Sequence, residues 1–196
     1  MKRKMRRCIL LFCTLTLLCT VCRAAQQTHC AYLYGFPDGT VRPLESLTRE
    51  QLAQILARLL PEDSMQRCAF LDVPQTRWSY RAVCTVCALG IYSEADSAYF
   101  QPQAEVSGRE FSEVLHRAAA YLPLLSGMEN SSDPMPISRA QAVRTLNALL
   151  GRCTDVGMEG MLLWSDNQDS GAWYFADFQE AGNSHTCENG RWCGLG

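Results

Sequence analysis

A turn followed by a helix recurs three times in this chain, and such internal repeats set the architecture before any other feature does. The fullest copy runs Tyr34-Gly-Phe-Pro-Asp-Gly-Thr-Val-Arg-Pro43 and then Leu47-Thr-Arg-Glu-Gln-Leu-Ala-Gln-Ile-Leu-Ala-Arg58. A second keeps Tyr99-Phe-Gln-Pro102 ahead of Val106-Ser-Gly-Arg-Glu-Phe-Ser-Glu-Val-Leu-His-Arg117. A third keeps only the helix, Ile137-Ser-Arg-Ala-Gln-Ala-Val-Arg-Thr-Leu-Asn147.

Apolar spacing supports a helix in each copy. Leu52, Ile55, Leu56, Leu59 and Leu60 form one stripe that ends at Pro61, where the ring clashes and the N–H is missing. Phe111, Val114, Leu115 and Ala118 repeat the stripe, as do Val143, Leu146 and Leu150 ahead of Gly151. A second kind of helix is predicted over Trp78–Leu89, entered through Phe70-Leu-Asp-Val-Pro74, with Trp78, Ala82, Val86 and Leu89 on one face. Its partner near the C-terminus is Leu163-Trp-Ser-Asp-Asn followed by Ala172-Trp-Tyr-Phe-Ala-Asp-Phe-Gln-Glu-Ala181. The unit is thus helix, loop, helix, and the fold class is mainly α. Pro61–Arg67 and Ser126–Pro136 read as linkers, and the Gly-rich tail as irregular or a hairpin.

The first 24 residues do not belong to this pattern. Five basic residues in Met1–Arg7 precede a 15-residue apolar run, Cys8–Cys22, broken only by threonines, and then Arg23-Ala24. That is the layout of a secretory signal peptide, residues 1–24. The run is short for a spanning helix of ~20 residues, and the alternative of an uncleaved anchor stays open. The leader holds six of the 18 basic residues and none of the 20 acidic ones, which leaves the remainder at net charge −8. An acidic surface argues against nucleic acid as a general partner. The export signal is the chain's one expected contact with a membrane.

The repeat residues resemble S-layer homology repeats. That family pattern opens a first helix with Asp and Trp, continues through a Gly-Tyr-Pro-Asp-Gly-Thr-Phe-x-Pro loop, and starts a second helix at Ile-Thr-Arg-Ala-Glu. The match is strong over Tyr34–Arg58. It continues through Phe70, Asp72, Trp78, Gly90-Ile91, Phe100 and Pro102, and returns in Trp164-Ser-Asp-Asn, Ala172-Trp-Tyr and Ala181-Gly-Asn-Ser-His185. The resemblance implies one domain over 25–196: repeat 1 near 30–60, repeat 2 near 70–120, repeat 3 with a terminal half-repeat near 137–185, and a tail over 186–196. It implies a pseudo-threefold bundle, partly degenerate, on a bacterial cell wall or surface. It also implies non-covalent anchoring there by binding an acidic secondary cell-wall polysaccharide, of which a pyruvylated one is an example. The departures are specific. The first copy lacks an opening helix, the second has Glu94-Ala-Asp-Ser-Ala98 in place of its turn, and the third has lost both opening helix and loop. A secreted structural or adaptor protein that binds other surface proteins instead of sugar is the alternative.

Thr48-x-x-Gln51, Ser107-x-x-Glu110 and Ser138-x-x-Gln141 are capping boxes, which explain the hydroxyl and the Gln or Glu without any ligand. An arginine at the first helical position is not explained that way, because the helix N-terminus is already positive. Arg49 and Arg139 sit there, and Arg109 one place later. Beside free backbone N–H groups they would make an anion site, with a guanidinium able to grip a carboxylate through two bonds. Their bland alternative is a solvated arginine or one paired with an acid. Asp38, Trp78 and Trp173 complete the candidate ligand-binding set, against the alternatives of a turn residue for Asp38 and inter-helix packing for the tryptophans.

The mature chain would keep seven cysteines: Cys30, Cys68, Cys84, Cys87, Cys153, Cys187 and Cys193. Cys84 and Cys87 fall mid-helix, unlike a redox pair, and read as buried small hydrophobes. Cys187 and Cys193 suit a disulfide-closed hairpin, with a metal set of His185 and these two as the lesser reading. No metal or cofactor site is adopted. The three histidines, His29, His116 and His185, stand near no nucleophile at recognisable spacing, so the expectation is a binding protein and not an enzyme.

Overall fold

Each long helix begins at a Ser or Thr of the repeat. In the computed structural model, which describes residues 27–60, 67–93, 97–152, 160–188 and 191–195, α1 spans Arg49–Leu59 and α2 Tyr80–Ala88. They are followed by α3 (Gly108–Ala118), a 3-10 turn (Pro123–Gly127), α4 (Arg139–Leu149) and α5 (Phe175–Gly182). β1 (Gln27–His29), β2 (His185–Glu188) and β3 (Arg191–Leu195) form a small antiparallel sheet in that order. The expected leader lies outside the described residues, as does most of the first linker.

The box is complete in α4 and half-made in α1 and α3. In α4 the Ser138 hydroxyl accepts from Gln141 N–H at 3.2 Å and Gln141 Oε1 accepts from Ser138 N–H at 2.7 Å. In α1 the Gln51 side chain reaches back to Thr48 N–H at 3.2 Å. In α3 Ser107 accepts from Glu110 N–H at 3.1 Å, but the Glu110 carboxylate turns instead to Arg49.

Immediately before these helices the three copies meet. Leu47 N–H donates to Ile137 O at 2.9 Å, Ile137 N–H to Val106 O at 3.0 Å, and Val106 N–H to Leu47 O at 2.8 Å. Three short bridges flank this closed ring: Ser46 with Ser138, Thr48 with Glu105, and Ser107 with Pro136. Leu47 and Val106 are fully buried at the junction. The stripes of α1, α3 and α4 converge there, so Leu52, Leu56, Val114, Leu115, Val143 and Leu146 share one core.

Helices pair across the sequence copies. α1 packs on α2, α4 on α5, and α3 on the 3-10 turn. The chain ends close against each other as well. Tyr32 and Leu33 N–H both donate to Ala181 O at the end of α5, at 2.9 and 3.1 Å. Ile91 and Tyr92 N–H do the same to Val86 O in α2, at 2.9 and 3.3 Å. Asp166 repeats the equivalence: its two oxygens accept from Val41 and Arg42 N–H at 2.8 and 2.7 Å. Asp72 accepts from Phe100 and Gln101 N–H at 2.9 and 2.7 Å. Both clamps hold a non-glycine residue at positive φ, Arg42 at 50° and Gln101 at 59°, a conformation that needs such support.

Among the described residues no helix precedes the first loop, and α5, from much later in the chain, stands against that loop as α2 stands against the second. Ahead of α4 stands the 3-10 turn, where Pro123 lacks an N–H donor. Cys84 is one correction. It is buried but bonded to Cys68, with Cα atoms 5.1 Å apart, a pairing that helical spacing within α2 could not reveal. Trp78 is a second. It precedes α2 and is 60% exposed, while Ala82 and Val86 are buried. The tail is a hairpin, with Thr186 opposite Gly194 and Cys187 opposite Trp192, so that Cys193 is the extra residue of a bulge. Its side chain lies outside those described, and with it the expected Cys187–Cys193 bond.

Candidate ligand-binding groove

A groove of about 770 Å³ runs along α1 beside the first turn. Its floor includes Gln51, Gln54 and Arg139, and its walls carry Tyr34, Phe36, Arg42, Arg58 and Trp78. Three cations, two carboxylates (Glu45 and Glu50), three amides and three aromatic rings thus face one space, and Glu50 is paired with Arg77 at 2.7 Å.

Arg139 is the buried cation of this set, at 3% exposure. It starts α4, and the ring closure turns its side chain toward the first copy. Its Nε donates to Val41 O at 2.9 Å and its Nη1 to Gln51 Oε1 at 3.1 Å, with the guanidinium 5.0 Å from the Phe36 ring centroid. Both acceptors are neutral. Desolvation therefore dominates and brings its pKa down to about 10, although Glu45 opposes the shift. Arg58, on the last turn of α1, lies 3.7 Å over the Tyr34 ring and donates to Tyr32 O at 3.3 Å. Burial lowers its pKa too. Arg42 stacks on Phe36 at 4.0 Å and pairs with Asp38 at 2.9 Å.

Of the six residues proposed from sequence, two line this groove: Arg139 and Trp78. Arg49 occupies the corresponding place at the next junction. It is 8% exposed, lies 5.1 and 4.8 Å from the Tyr92 and Phe100 centroids, and has its Nε 3.0 Å from Glu110 Oε1. That is the acid-paired alternative for this residue. Asp38 is exposed at the turn, where it accepts from Thr40 N–H and Oγ1 at 3.0 and 2.6 Å. The bonds from Thr40, then Arg42, hold its pKa down near about 2. Arg109 reaches Ser132 O at 3.3 Å on the surface. Trp173 is 48% exposed and sits under Arg144 at 5.3 Å. The structure does not bring these last four into the groove.

The helix N-termini themselves are closed to an anion. Arg49 N–H donates to Ala104 O and Glu50 N–H to Pro102 O, both at 2.9 Å. Gly108 and Arg109 donate to Met135 O and Asp133 O, and Arg139 and Ala140 to Glu45 O and Pro43 O. The donors that a free helix end would offer are consumed by the neighbouring copy, which corrects the backbone half of the anion-site expectation. Gly108, where the other copies have arginine, faces residues 131–133: a Cβ there would lie 3.1 Å from Asp133 Cβ. Arg42 and Arg58 were missed as groove residues. The turn-to-Pro spacing placed Arg42 next to Asp38, and Arg58 falls on the helix face shared with Gln51 and Gln54, so both were in reach of the repeat pattern.

Among known proteins the chain is similar to two from Acetivibrio thermocellus. It is 31% identical to cell surface glycoprotein 1 over 91 residues, which is 44% of this chain and 4% of that protein. It is 26% identical to the cellulosome-anchoring protein over 110 residues, 54% of this chain and 24% of that one. The matches therefore span only a small part of either relative. No family model matches the chain. Among the described residues no helix is long and apolar enough to cross a membrane.

Proposed function

We propose that this protein is a cell-surface anchoring module of the S-layer homology type. Its groove beside α1 binds an acidic secondary cell-wall polysaccharide, of which a pyruvylated one is an example. The likeness to a surface glycoprotein and an anchoring protein supports the surface role. The ring of bonds through Leu47, Val106 and Ile137 supports a pseudo-threefold bundle of three repeats. The observation that carries the ligand class is Arg139: a buried guanidinium held by two neutral acceptors at the floor of an aromatic-walled groove. A buried cation is costly until a counter-charge joins it, and a carboxylate on a sugar supplies one while the ring stacks on Trp78. Arg42 and Arg58 add positive charge at the walls, where Glu50 is offset by Arg77 and Arg42 by Asp38.

Cell-wall sacculi with and without their secondary polysaccharide test this reading. The folded protein binds the first and not the second. Arg139→Gln loses about 10- to 100-fold in affinity, as expected for one charge-assisted contact. Trp78→Ala, at an exposed site that leaves the core intact, loses about tenfold. A folded protein that ignores the polysaccharide sinks the proposal. The protein-binding adaptor then stands, a reading favoured by the closure of the position at Gly108.

A further inference from the structure

His29, His185 and Glu180 come together where the two ends of the chain meet. His29 lies on β1, His185 opposite it on β2, and Glu180 in the last turn of α5. His29 Nδ1 is 2.8 Å from Glu180 Oε1 and 3.2 Å from His185 Nε2, and His185 Nε2 is 3.2 Å from Glu180 Oε2. All three residues are buried. We propose that they form a binding site for a divalent transition-metal ion of the zinc class, which ties the N-terminal strand to α5 and the C-terminal hairpin.

The donor set fits that chemistry. Two imidazoles and one carboxylate are borderline ligands suited to Zn²⁺, which takes nitrogen at about 2.0–2.1 Å in a tetrahedral shell. That geometry places neighbouring ligand atoms about 3.4 Å apart. The histidine nitrogens lie 3.2 Å apart, and each has a Glu180 oxygen near it, Oε1 at 2.8 Å from His29 and Oε2 at 3.2 Å from His185, so the set opens by about 0.2–0.6 Å to admit the ion on one of those oxygens. The outer partner is in place as well. His185 Nδ1 donates to Asn183 O at 2.8 Å, which fixes the tautomer that turns the Nε2 lone pair toward Glu180 and His29. Burial holds both histidines in the neutral, ligating form, His29 with its pKa down to about 4. A tenth of the His29 side chain stays exposed, and water would supply the fourth ligand.

The position gives the ion a structural task. Tyr32 and Leu33 hang from Ala181 O next to Glu180, so the ion would lock the join by which α5 serves the first repeat. This site is separate from the polysaccharide groove, and neither proposal depends on the other.

The test is a Zn²⁺ titration by calorimetry of the full exported chain after EDTA treatment. Circular dichroism monitors the fold, and Co²⁺ substitution reads the ligand type. One ion binds per folded chain and raises the melting temperature. Co²⁺ gives ligand-field bands without thiolate charge transfer. His29→Gln and Glu180→Gln, both close in size to the originals, weaken binding by at least about 100-fold and abolish the thermal shift. Failure of the folded wild-type protein to bind Zn²⁺ overturns the proposal even if a variant does not fold. So does unchanged affinity in both variants, and so does a thiolate signature, which would place the ion on cysteines such as Cys30.

Discussion

Arg49 Nε lies 3.0 Å from Glu110 Oε1, whereas the corresponding arginine of the third copy, Arg139, meets the neutral Gln51 Oε1 at 3.1 Å. In both cases the first residue of one helix reaches the third residue of another. Only at Arg139 does the groove open beside the contact. One sequence position thus has two settings: an ion pair between copies at Arg49, and at Arg139 a buried cation on neutral acceptors, which the proposed function assigns to a ligand.

Arg49→Ala accordingly acts on stability and not on recognition. Removing Arg49 takes the cation from Glu110 and from the Tyr92 and Phe100 rings. Glu110 keeps 28% of its side chain exposed, so the loss falls below the 3–5 kcal/mol of a fully buried pair, at about 2 kcal/mol. Urea denaturation should show that loss, while the remaining folded fraction binds sacculi as tightly as wild type. Lost binding by well-folded Arg49→Ala would contradict the assignment.

The Cys68–Cys84 bond closes a 16-residue separation between the segment entering the second repeat and α2. A loop of that length is worth about 3 kcal/mol by its effect on the unfolded chain. Cys84→Ala, or reduction, should lower the urea midpoint accordingly. Equal midpoints with and without reductant would show that the bond contributes nothing.

The helices were legible because apolar spacing and capping hydroxyls are local signals: Leu52–Leu56, Phe111–Leu115 and Val143–Leu146 all face the core as their period requires. The junctions were not legible. Nothing in the spacing of Leu47, Val106 and Ile137 announces a closed ring of bonds, and that ring consumes the helix-end donors. The Asp166 clamp on Val41 joins residues 125 apart in sequence. His29 and Glu180 are 151 apart, so a metal-ligating set assembled by chain closure leaves no local trace. Arg49 and Arg139 read alike in sequence and diverge only because their acceptors, Glu110 and Gln51, belong to other copies.

Stability should fall as pH drops from about 6.5 toward 4 in EDTA. Burial depresses the folded-state pKa of His29 to about 4 and lowers that of His185. In this interval the unfolded chain binds protons that the folded chain refuses, so the stability present above pH 6.5 is lost on acidification. Glu180 faces both rings, and Arg152 adds a repulsive charge. Asp177, raised by burial, works in the opposite direction as pH rises. Urea midpoints measured from pH 4 to 8 should rise with pH, and His29→Gln should flatten the curve. A wild-type curve already flat across this range would rule the assignment out.

Trp164 is held between two glycines from opposite ends of the chain. It is 4% exposed, and a Cβ on either Gly35 or Gly182 would collide with its indole. Gly35 opens the first turn and Gly182 ends α5, so the indole fills the space where the terminal helix meets the first loop, two residues from the Asp166 clamp. The collision falls on a ring fixed in the core, which cannot swing aside as a long flexible side chain would. Gly182→Ala would gain up to about 1 kcal/mol of helix propensity in a helix interior and should still lose about 2–3 kcal/mol net through overpacking. Trp164→Ala should cost about 3–5 kcal/mol as a cavity. The double variant Gly182→Ala with Trp164→Ala should cost less than the sum of the two, since the added methyl enters space the indole has left. Chemical denaturation of the three variants measures that coupling. Strict additivity would mean that Gly182 and Trp164 do not meet, and that α5 does not close on the first loop in this way.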